Sequence, residues 1–454
     1  MRYFIRLACV STLALLVLAA DATARSLNFI RDAEIEETIR QLGAPLFAMA
    51  GLTPASVRVY IVNDSSLNAF VAGGQNIFIN TGLILATDNP NQLVGVIAHE
   101  TGHITGGHLA RTHDALRDAS AQTILSFVLG AAAAIAGQGQ VAGAIVTGGA
   151  QVAQRSILSY SRVQEASADQ AAMQFLDATG QSSKGLLDFF DKLGDQEALL
   201  TANQDPYVRT HPLTRERVAA VAAHLNRSPA SQNPERPENI LAHERMKAKL
   251  FAFLESPVQT FRHYPREDTS VPSRYAHAIA FHRQREENAA IGVMDGLIAE
   301  YPDDPYFHEL KGQILLENGK PEMAIGPYAD AVRLRPQEVL LRIGLGQAQV
   351  SATSEEYLGD ALANLQRAIQ LSPRDANAWR WLAMAYGRSG DVANASLATA
   401  ERYLLLGRHR DAIGQADRAE RLLPAGGPSQ LRAQDIRQAA AQAAKINLPK
   451  SDSK

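Results

Sequence analysis

The chain has 454 residues, of which 46% are hydrophobic and 20% are charged, so it is long enough for two or three domains with apolar cores. This composition excludes a wholly disordered chain and a small disulfide scaffold. The formal net charge of -3 gives no support to nucleic acid or an acidic membrane surface as a partner, because both favour clustered basic side chains.

The first 24 residues are typical of a secretory signal peptide. Arg2 and Arg6 precede an apolar run from Leu7 to Ala20, and Ala22-Thr23-Ala24 has the small-x-small pattern of a cleavage site. The alternative is an N-terminal membrane anchor, although the run is shorter than the roughly 20 residues that a span needs. The only cysteine, Cys9, lies in this segment. A mature chain without thiols excludes disulfides, cysteine nucleophiles and thiolate metal sites, and suits the bacterial periplasm.

The segments that follow predict a small α+β arrangement. Ser26 to Leu52 spaces its apolar residues at helical intervals and carries early acidic residues, which predicts an amphipathic helix. The stretches VRVYIVND and QNIFINTGLIL alternate in the β manner on either side of a Gly73-Gly74 turn, and they predict a small hairpin or sheet. Another helix is predicted from Asn91 to about Leu116.

This last helix contains the sequence HETGH. His99 and His103 are four residues apart, so they project from one face of a helix and can share a metal ion. Glu100 lies one step around the helix, where it can act as the general base of an H-E-x-x-H metalloprotease. If the helix continues, His108 is about half a turn out of phase and His113 is about 21 Å farther along the axis than His99. Neither of them then completes the site.

A hydrolytic zinc site needs a third protein ligand and one open position. A histidine six residues after His103 would indicate a metzincin, but that residue is Leu109. The next predicted helix, SRVQEASADQAAMQF, offers Glu165 and Asp169 on one face. One carboxylate can bind the metal while the other accepts the outer N–H of a metal-bound histidine. The alternative is a pair of acids on a solvated helix face.

Between these two helices, Thr123 to Ala150 is almost free of charge and rich in alanine and glycine. Gly137 to Gln140 divide it into halves that are too short to span a bilayer. The segment predicts either a buried helical hairpin or an exposed apolar plug that contacts a membrane or a partner.

A histidine in a loop is a further candidate for the site. Pro212 favours an extended conformation at His211 and suits the first turn of the next helix, so the imidazole projects from a stiff loop. We expect His211 to reach the metal site in one of two roles. It either takes the fourth metal position and holds the peptidase silent, or donates to the oxyanion with help from Arg217. The alternative is a surface histidine that caps a turn.

The segment from Leu225 to Asn239 is rich in Pro, Ser and Asn, which marks a domain boundary. Beyond it, an internal repeat places alanine and proline at a constant spacing. The pairs are Ala290 with Pro302, Ala324 with Pro336, Ala361 with Pro373 and Ala412 with Pro424. The first two prolines are one 34-residue period apart, which is the period of tetratricopeptide repeats.

The stretch WRWLAMAYGRSGDVANA strengthens this assignment. It supplies the Trp, Leu, small, Tyr and Ala positions of the repeat with Trp379, Leu382, Ala383, Tyr386 and Ala395. Extra residues near Ser351 to Glu355 lengthen one period, and Gly407 replaces an expected proline. The alternative is a generic helical bundle. Stacked repeats make a concave surface for peptides or proteins.

The order of these motifs resembles that of BepA-type periplasmic β-barrel assembly-enhancing metalloproteases, in the parent family of HtpX-like and Oma-like zinc peptidases. The resemblance covers nearly the whole chain and rests on the signal peptide, RDAEIE, NAFVAGGQNIFINTGLI, HETGH, EASAD, THP and the repeat tail. It implies that one zinc ion is bound by His99, His103 and Glu165, with Glu100 as the base. Asp169 then supports a zinc-bound histidine from outside.

The same resemblance places Asn68 and Phe70, in LNAFVAGG, at the edge of the cleft that receives substrate. A strand beside the zinc can pair with the substrate backbone, which gives affinity with little sequence preference. The alternative is that these two residues belong to a simple turn and the core.

We therefore expect a mainly α chain in which an α+β zincin-like metalloprotease domain precedes an α-solenoid of tetratricopeptide repeats. The expected boundaries are 1–24 for the signal peptide, 25–225 for the peptidase, 226–268 for a linker and connecting helix, and 269–445 for the repeats.

The resemblance implies a periplasmic zinc endopeptidase that assists outer-membrane β-barrel assembly and degrades misassembled clients. Its implied partners are unfolded or misassembled outer-membrane proteins, the assembly machinery through the repeats, and a peripheral membrane contact. The alternative is a tetratricopeptide chaperone or scaffold whose metal site is structural or silent.

Overall fold

The structure is a computed structural model that describes residues 28–108, 161–197 and 211–445. The predicted signal peptide, the apolar segment 123–150 and His113 lie outside the described residues. Within the described ranges the chain forms one four-stranded sheet and is otherwise mostly helical, which confirms the mainly α fold. None of the helices in these ranges is long and apolar enough to cross a membrane.

The N-terminal part combines a short sheet with a long helix. The strands are β1 (Phe29–Ile30), β2 (Arg58–Val62), β3 (Ala69–Ala72) and β4 (Asn76–Asn80), and helix α1 is Ala33–Met49. The helix is shorter than predicted because Asp32 caps it, accepting a hydrogen bond from the Ile35 N–H at 2.9 Å.

The sheet differs from a simple hairpin. Its order is β1-β2-β4-β3, so β2 pairs with β4 in parallel and only β3 and β4 form the hairpin around Gly73-Gly74. The predicted second strand ends at Asn80, where helix α2 (Thr81–Ala86) begins. A strand as short as β3 gives too little alternation to be recognised in the sequence.

Four helices lie in the part of the chain that contains HETGH. They are α3 (Pro90–Thr105), α4 (161–178), α5 (Lys184–Glu197) and α6 (Arg215–Leu225). Helix α3 is buried over its first three turns, because its apolar side chains pack in one core with the inner face of the sheet and with α1 and α5. The sequence HETGH therefore lies on a helix that is buried over most of its length.

The remaining helices form a connector and a series of antiparallel pairs. The connector consists of α7 (Pro237–Leu254) and α8 (Pro257–His263). The pairs are α9 (Val271–Arg283), α10 (Glu287–Glu300), α11 (Pro305–Glu317), α12 (Pro321–Leu334), α13 (Val339–Ser351), α14 (Leu358–Leu371), α15 (Ala376–Arg388), α16 (Val392–Leu405), α17 (His409–Leu422) and α18 (Pro428–Ala444).

These pairs confirm the tetratricopeptide prediction. The four aligned alanines are fully buried, and each aligned proline comes just after the C-terminal end of a helix. Gly407 replaces a proline in a turn where its φ is 68°, a left-handed conformation that favours glycine. The extra residues before Tyr357 form a short 3₁₀ turn, which explains the lengthened period.

The peptidase region and the repeats share a buried network of charges. The Lys249 ammonium on α7 is 1% exposed and lies 2.8 Å from Asp32 and 3.4 Å from Glu34, at the start of α1. It also lies 3.6 Å from Glu309 on α11, in the repeats. Arg245, one turn earlier on α7, pairs with Glu34 at 2.6 Å. The network joins the first peptidase helix to the repeat domain.

Candidate metal centre

A close approach between two helices creates the centre. Helix α3 carries His99, Glu100 and His103, and α4 carries the predicted third ligand. A Cβ atom on Gly102 would lie 2.7 Å from the carbonyl oxygen of Ala168, so only glycine permits this separation without a shift. The contact places the acidic face of α4 against the histidine face of α3.

Four side chains converge there. His99, His103, Glu165 and His211 each offer one nitrogen or oxygen atom, and these atoms all lie within 4.8 Å of one another. The Nε2 atoms of the first two histidines are 3.1 Å apart, and carboxylate oxygens of Glu165 lie 3.3 and 3.4 Å from them. Metal bonds of about 2.1 Å at tetrahedral angles give ligand separations of about 3.4 Å. The donor set therefore fits a metal ion.

Asp169 orients the first of these histidines. The Nδ1–H of His99 donates to a carboxylate oxygen of Asp169 at 2.8 Å, which leaves the lone pair of Nε2 for the cluster. Asp169 is held in turn by Arg217, whose Nε and Nη2 donate at 2.6 and 2.8 Å. The spacing of Glu165 and Asp169 thus gives one acid in the cluster and one outside it.

Arg217 makes further contacts in and beside the cluster. Its buried guanidinium also lies 3.0 Å from Glu165 and donates to the carbonyl of Pro212 at 2.9 Å. These contacts favour a role in which Arg217 fixes both acids and the His211 loop. The sequence shows only that Arg217 follows His211 on the next helix, and gives no sign of the contact with Asp169.

The Glu100 carboxylate is buried and accepts no hydrogen bond from the described part of the chain. The Nε2 atom of His211 lies 3.6 Å from one of its oxygens. A buried carboxylate without hydrogen-bond partners is costly, so the position suits a polar group such as water. This is the arrangement that a general base beside a metal requires.

His211 lies in the cluster and away from the surface. The residue is 6% exposed, and its Nδ1 lies 3.1 Å from Glu165 and 3.3 Å from Nε2 of His99. Helix α6 begins at Arg215 with Thr214 as its N-cap, so the prediction that Pro212 lies in its first turn is wrong. His211 and Pro212 both lie in the loop before this helix.

The position of His108 differs from the prediction. Helix α3 ends at Thr105, and Gly107 turns the chain with a φ of 60°. His108 folds back, so its Nδ1 lies 3.0 Å from Nδ1 of His103. The prediction that it points away is wrong because it assumed a helix continuing to Leu116. The Gly106-Gly107 pair was the available signal of the helix end.

The electrostatics of the centre keep both acids ionised. Burial alone would raise the pKa of Glu165, but the neighbouring histidines, His211 first, hold that pKa far below its usual value. Burial also opposes the low pKa of Asp169, which its hydrogen bonds from Arg217 and His99 maintain. Ionised carboxylates are the form that binds cations.

One edge of the sheet lies beside these groups. β3 is an edge strand that packs against α3, and Phe70 on it stacks on Phe78 of β4 with ring centroids 4.9 Å apart. Asn68 precedes the strand, and its buried Oδ1 has no hydrogen-bond partner among residues 28–108, 161–197 and 211–445. Among the described residues no strand lies beyond β3, and the role of Asn68 and Phe70 in receiving substrate stays a prediction.

Residues 30–225 match a family model described as Peptidase family M48. This region is an M48 peptidase domain. The match confirms the predicted metallopeptidase and the resemblance on which it rested. The match ends at residue 225, the last residue of α6.

Relatives extend the similarity beyond the M48 domain. The chain is 26% identical to the Beta-barrel assembly-enhancing protease of Yersinia pestis, over 90% of this chain and 83% of that protein. The protein of the same name in Escherichia coli K12 shows the same identity and coverage. Among solved structures, a thermophilic TPR protein of Thermus thermophilus is 20% identical, covering 42% of this chain and 100% of that one, with a TM-score of 0.24.

Proposed function

We propose that the chain is a zinc-dependent endopeptidase in which His99, His103 and Glu165 hold the metal. The observation that carries the proposal is the convergence of these donors, within 4.8 Å, beside the unpartnered carboxylate of Glu100. When bound, zinc supplies a Lewis acid that polarises a carbonyl and lowers the pKa of a water molecule to about 7. Glu100 accepts the proton of the attacking water.

Asp169 and Arg217 act as positioning residues in this scheme. Asp169 fixes the ring of His99 through the 2.8 Å hydrogen bond, and Arg217 holds Asp169 and Glu165 together. The β3 edge, with Asn68 and Phe70, receives an extended segment of substrate by backbone pairing. Pairing through the backbone suits unfolded chains of varied sequence.

The substrates proposed are unfolded or misassembled outer-membrane proteins, which the enzyme would degrade in the periplasm. The names of the two relatives and the predicted signal peptide support this assignment. We assign residues 25–225 to the peptidase, 226–268 to the connector and 269–445 to repeats that dock on the assembly machinery. The predicted apolar segment 123–150 would supply a peripheral membrane contact.

His211 is proposed to regulate the site. Its position among the ligand atoms supports a latch that takes the fourth metal position and keeps the peptidase silent. An oxyanion donor is the competing role. Against an unfolded substrate, His211→Ala should raise proteolysis if the residue is a latch. A strong loss of proteolysis with zinc retained would indicate the oxyanion role, and unchanged activity would remove His211 from the site.

A second candidate is a chaperone or scaffold with a silent metal site, and the same placement of His211 favours it. Casein cleavage with and without chelator, together with metal analysis, separates the two candidates. Stoichiometric zinc without turnover, in both wild-type and His211→Ala protein, would support the scaffold. Cleavage that chelator abolishes and added zinc restores would support the peptidase.

The direct test of the peptidase is Glu100→Gln. The variant should keep its zinc, because no ligand is lost, while peptide hydrolysis falls by about two orders of magnitude or more. Glu165→Gln should instead weaken zinc retention itself. Near-normal turnover by Glu100→Gln would contradict the assignment of the base.

A further inference from the structure

The two histidines of HETGH are supported unequally in the site described so far. The outer nitrogen of His99 donates to Asp169 at 2.8 Å. The Nδ1 atom of His103 instead lies 3.0 Å from Nδ1 of His108, whose ring meets that of His103 edge to face at 80°. His108 is nearly fully buried.

The chemistry of His103 fixes the direction of this hydrogen bond. Its Nε2 lies 3.1 Å from Nε2 of His99 and 3.4 Å from Glu165, so Nε2 must present a lone pair to bind a metal. A neutral imidazole with a lone pair on Nε2 carries its proton on Nδ1. The partner at 3.0 Å must then accept this proton, and neutral His108 can accept it through Nδ1.

We propose that His108 is a positioning residue that accepts the Nδ1–H of His103 and fixes its tautomer and ring orientation. It does for His103 what Asp169 does for His99, with a neutral acceptor in place of a carboxylate. This inference rests on the proposed metal site.

The chain around His108 is shaped for this contact. A Cβ atom on Gly106 would lie 2.3 Å from Nε2 of the His108 ring, so the ring keeps this position only beside glycine. The side-chain amide of Gln164, the residue before Glu165, donates to the carbonyl of His108 at 3.1 Å. The turn after α3 is thereby tied to the helix that carries the third ligand.

The test measures metal affinity in the full chain, by competition of Zn²⁺ and Co²⁺ with a chelator. His108→Leu should raise the dissociation constant by about 10-fold to 100-fold, the usual effect of losing a partner behind a metal ligand. His108→Asn should restore most of the affinity, because its amide oxygen can accept near the position of Nδ1. The Co²⁺ absorption spectrum should change in the leucine variant and return toward wild type in the asparagine variant.

Two further variants separate positioning from packing. Gly106→Ala should displace the His108 ring and weaken metal binding as His108→Leu does. Thr105→Val is the matched control, because the Thr105 hydroxyl donates only to backbone carbonyls of the same helix, and it should leave affinity unchanged. Thermal unfolding of the metal-free proteins shows whether each variant is folded.

The outcomes are distinct. Wild-type affinity in a folded His108→Leu variant would overturn the positioning role while leaving the metal site intact. Equal weakening in His108→Leu and His108→Asn would also overturn it, since packing and not acceptance would then matter. A wild-type chain that binds neither ion would overturn the metal site itself and this inference with it.

Discussion

The metal centre and the repeat domain are stabilised by contacts of opposite kinds. In the centre, His99 contacts Asp169 and His211, which are 70 and 112 residues away in the sequence, and all three side chains are buried and polar. In the repeats, consecutive helices pack through fully buried alanines such as Ala324 and Ala361. A change in the repeats therefore affects mainly the adjacent helices, whereas a change in the centre affects segments that are far apart in the sequence.

The boundary between the two regions resembles the centre more than the repeats. Lys249 and Arg245 on the connector bury their charges against acids from both sides, as Arg217 does in the metal centre. Buried charges are tolerated only when partners surround them. The comparison predicts that replacing a buried cation is far more damaging than replacing a cation on the repeat surface.

The largest effect is expected for Lys249→Met. The substitution leaves the carboxylates of Asp32 and Glu34 close together without the ammonium group that they share. Breaking a buried ion pair from one side costs about 3–5 kcal/mol of unfolding free energy. Urea unfolding of the full chain measures this. A loss of unfolding free energy below about 1 kcal/mol would show that Lys249 contributes no more than an exposed cation.

Gly102→Ala tests the close contact in the metal centre and should have the next largest effect. The new Cβ would meet the backbone of Ala168 at 2.7 Å, so α4 must move, and overpacking of this kind costs about 1–3 kcal/mol. Metal affinity should fall as well, because Glu165 moves with α4.

The matched control for Gly102→Ala is Gly194→Ala on α5, where an added Cβ meets nothing within 4 Å. Alanine should stabilise that helix by about 0.5–1 kcal/mol and leave metal affinity unchanged. If both variants behave alike in unfolding and in metal binding, the close approach of α3 and α4 has no special role.

The same contrast explains what the sequence could reveal. The repeats are predicted well because their signal is periodic and local: buried Ala290 and Ala324 mark equivalent positions of successive helix pairs. HETGH is predicted for the same reason, since helical spacing alone puts His99 and His103 together. Glu165 is indicated by its spacing from Asp169, and the resemblance assigns it to the metal.

The features that the sequence does not predict depend on loops and on contacts between segments that are distant in the sequence. The turn after Thr105 decides where His108 lies, and a helical wheel that continues through it gives the wrong direction. The contact of Arg217 with Asp169 joins two helices that no period relates. The order β1-β2-β4-β3 likewise follows from how the core closes and not from alternation within any one strand.

The boundary between the two regions should differ from the rest of the repeats in its pH dependence. Titration of Glu309 there should change the free energy of unfolding by about 1 kcal/mol. Burial raises the pKa of Glu309 to about 8, helped by the charges of Asp32, Glu34 and Glu338 and opposed by Lys249. The folded state then holds a proton that the unfolded state loses near its ordinary pKa of 4.5. Stability must therefore fall as pH rises between these values.

Urea unfolding at pH 6 and pH 7 tests this sign. From pH 6 to pH 7 the wild type should lose about 1 kcal/mol more than Glu309→Gln, which has no proton to release. An equal change in the unfolding free energy of the two proteins would contradict the raised pKa. A gain in stability of the wild type relative to the variant from pH 6 to pH 7 would also contradict it.

The smallest effect is expected for Lys311→Met in the repeats, the same substitution as at Lys249 but on the surface. Lys311 lies 2.6 Å from Asp295 on the preceding helix, with side chains 26% and 54% exposed. Water and salt screen such a pair, so its removal should change the unfolding free energy by about 1 kcal/mol or less. Added salt should weaken the effect further. A loss as large as that of Lys249→Met would mean that burial does not decide how much a cation matters in this chain.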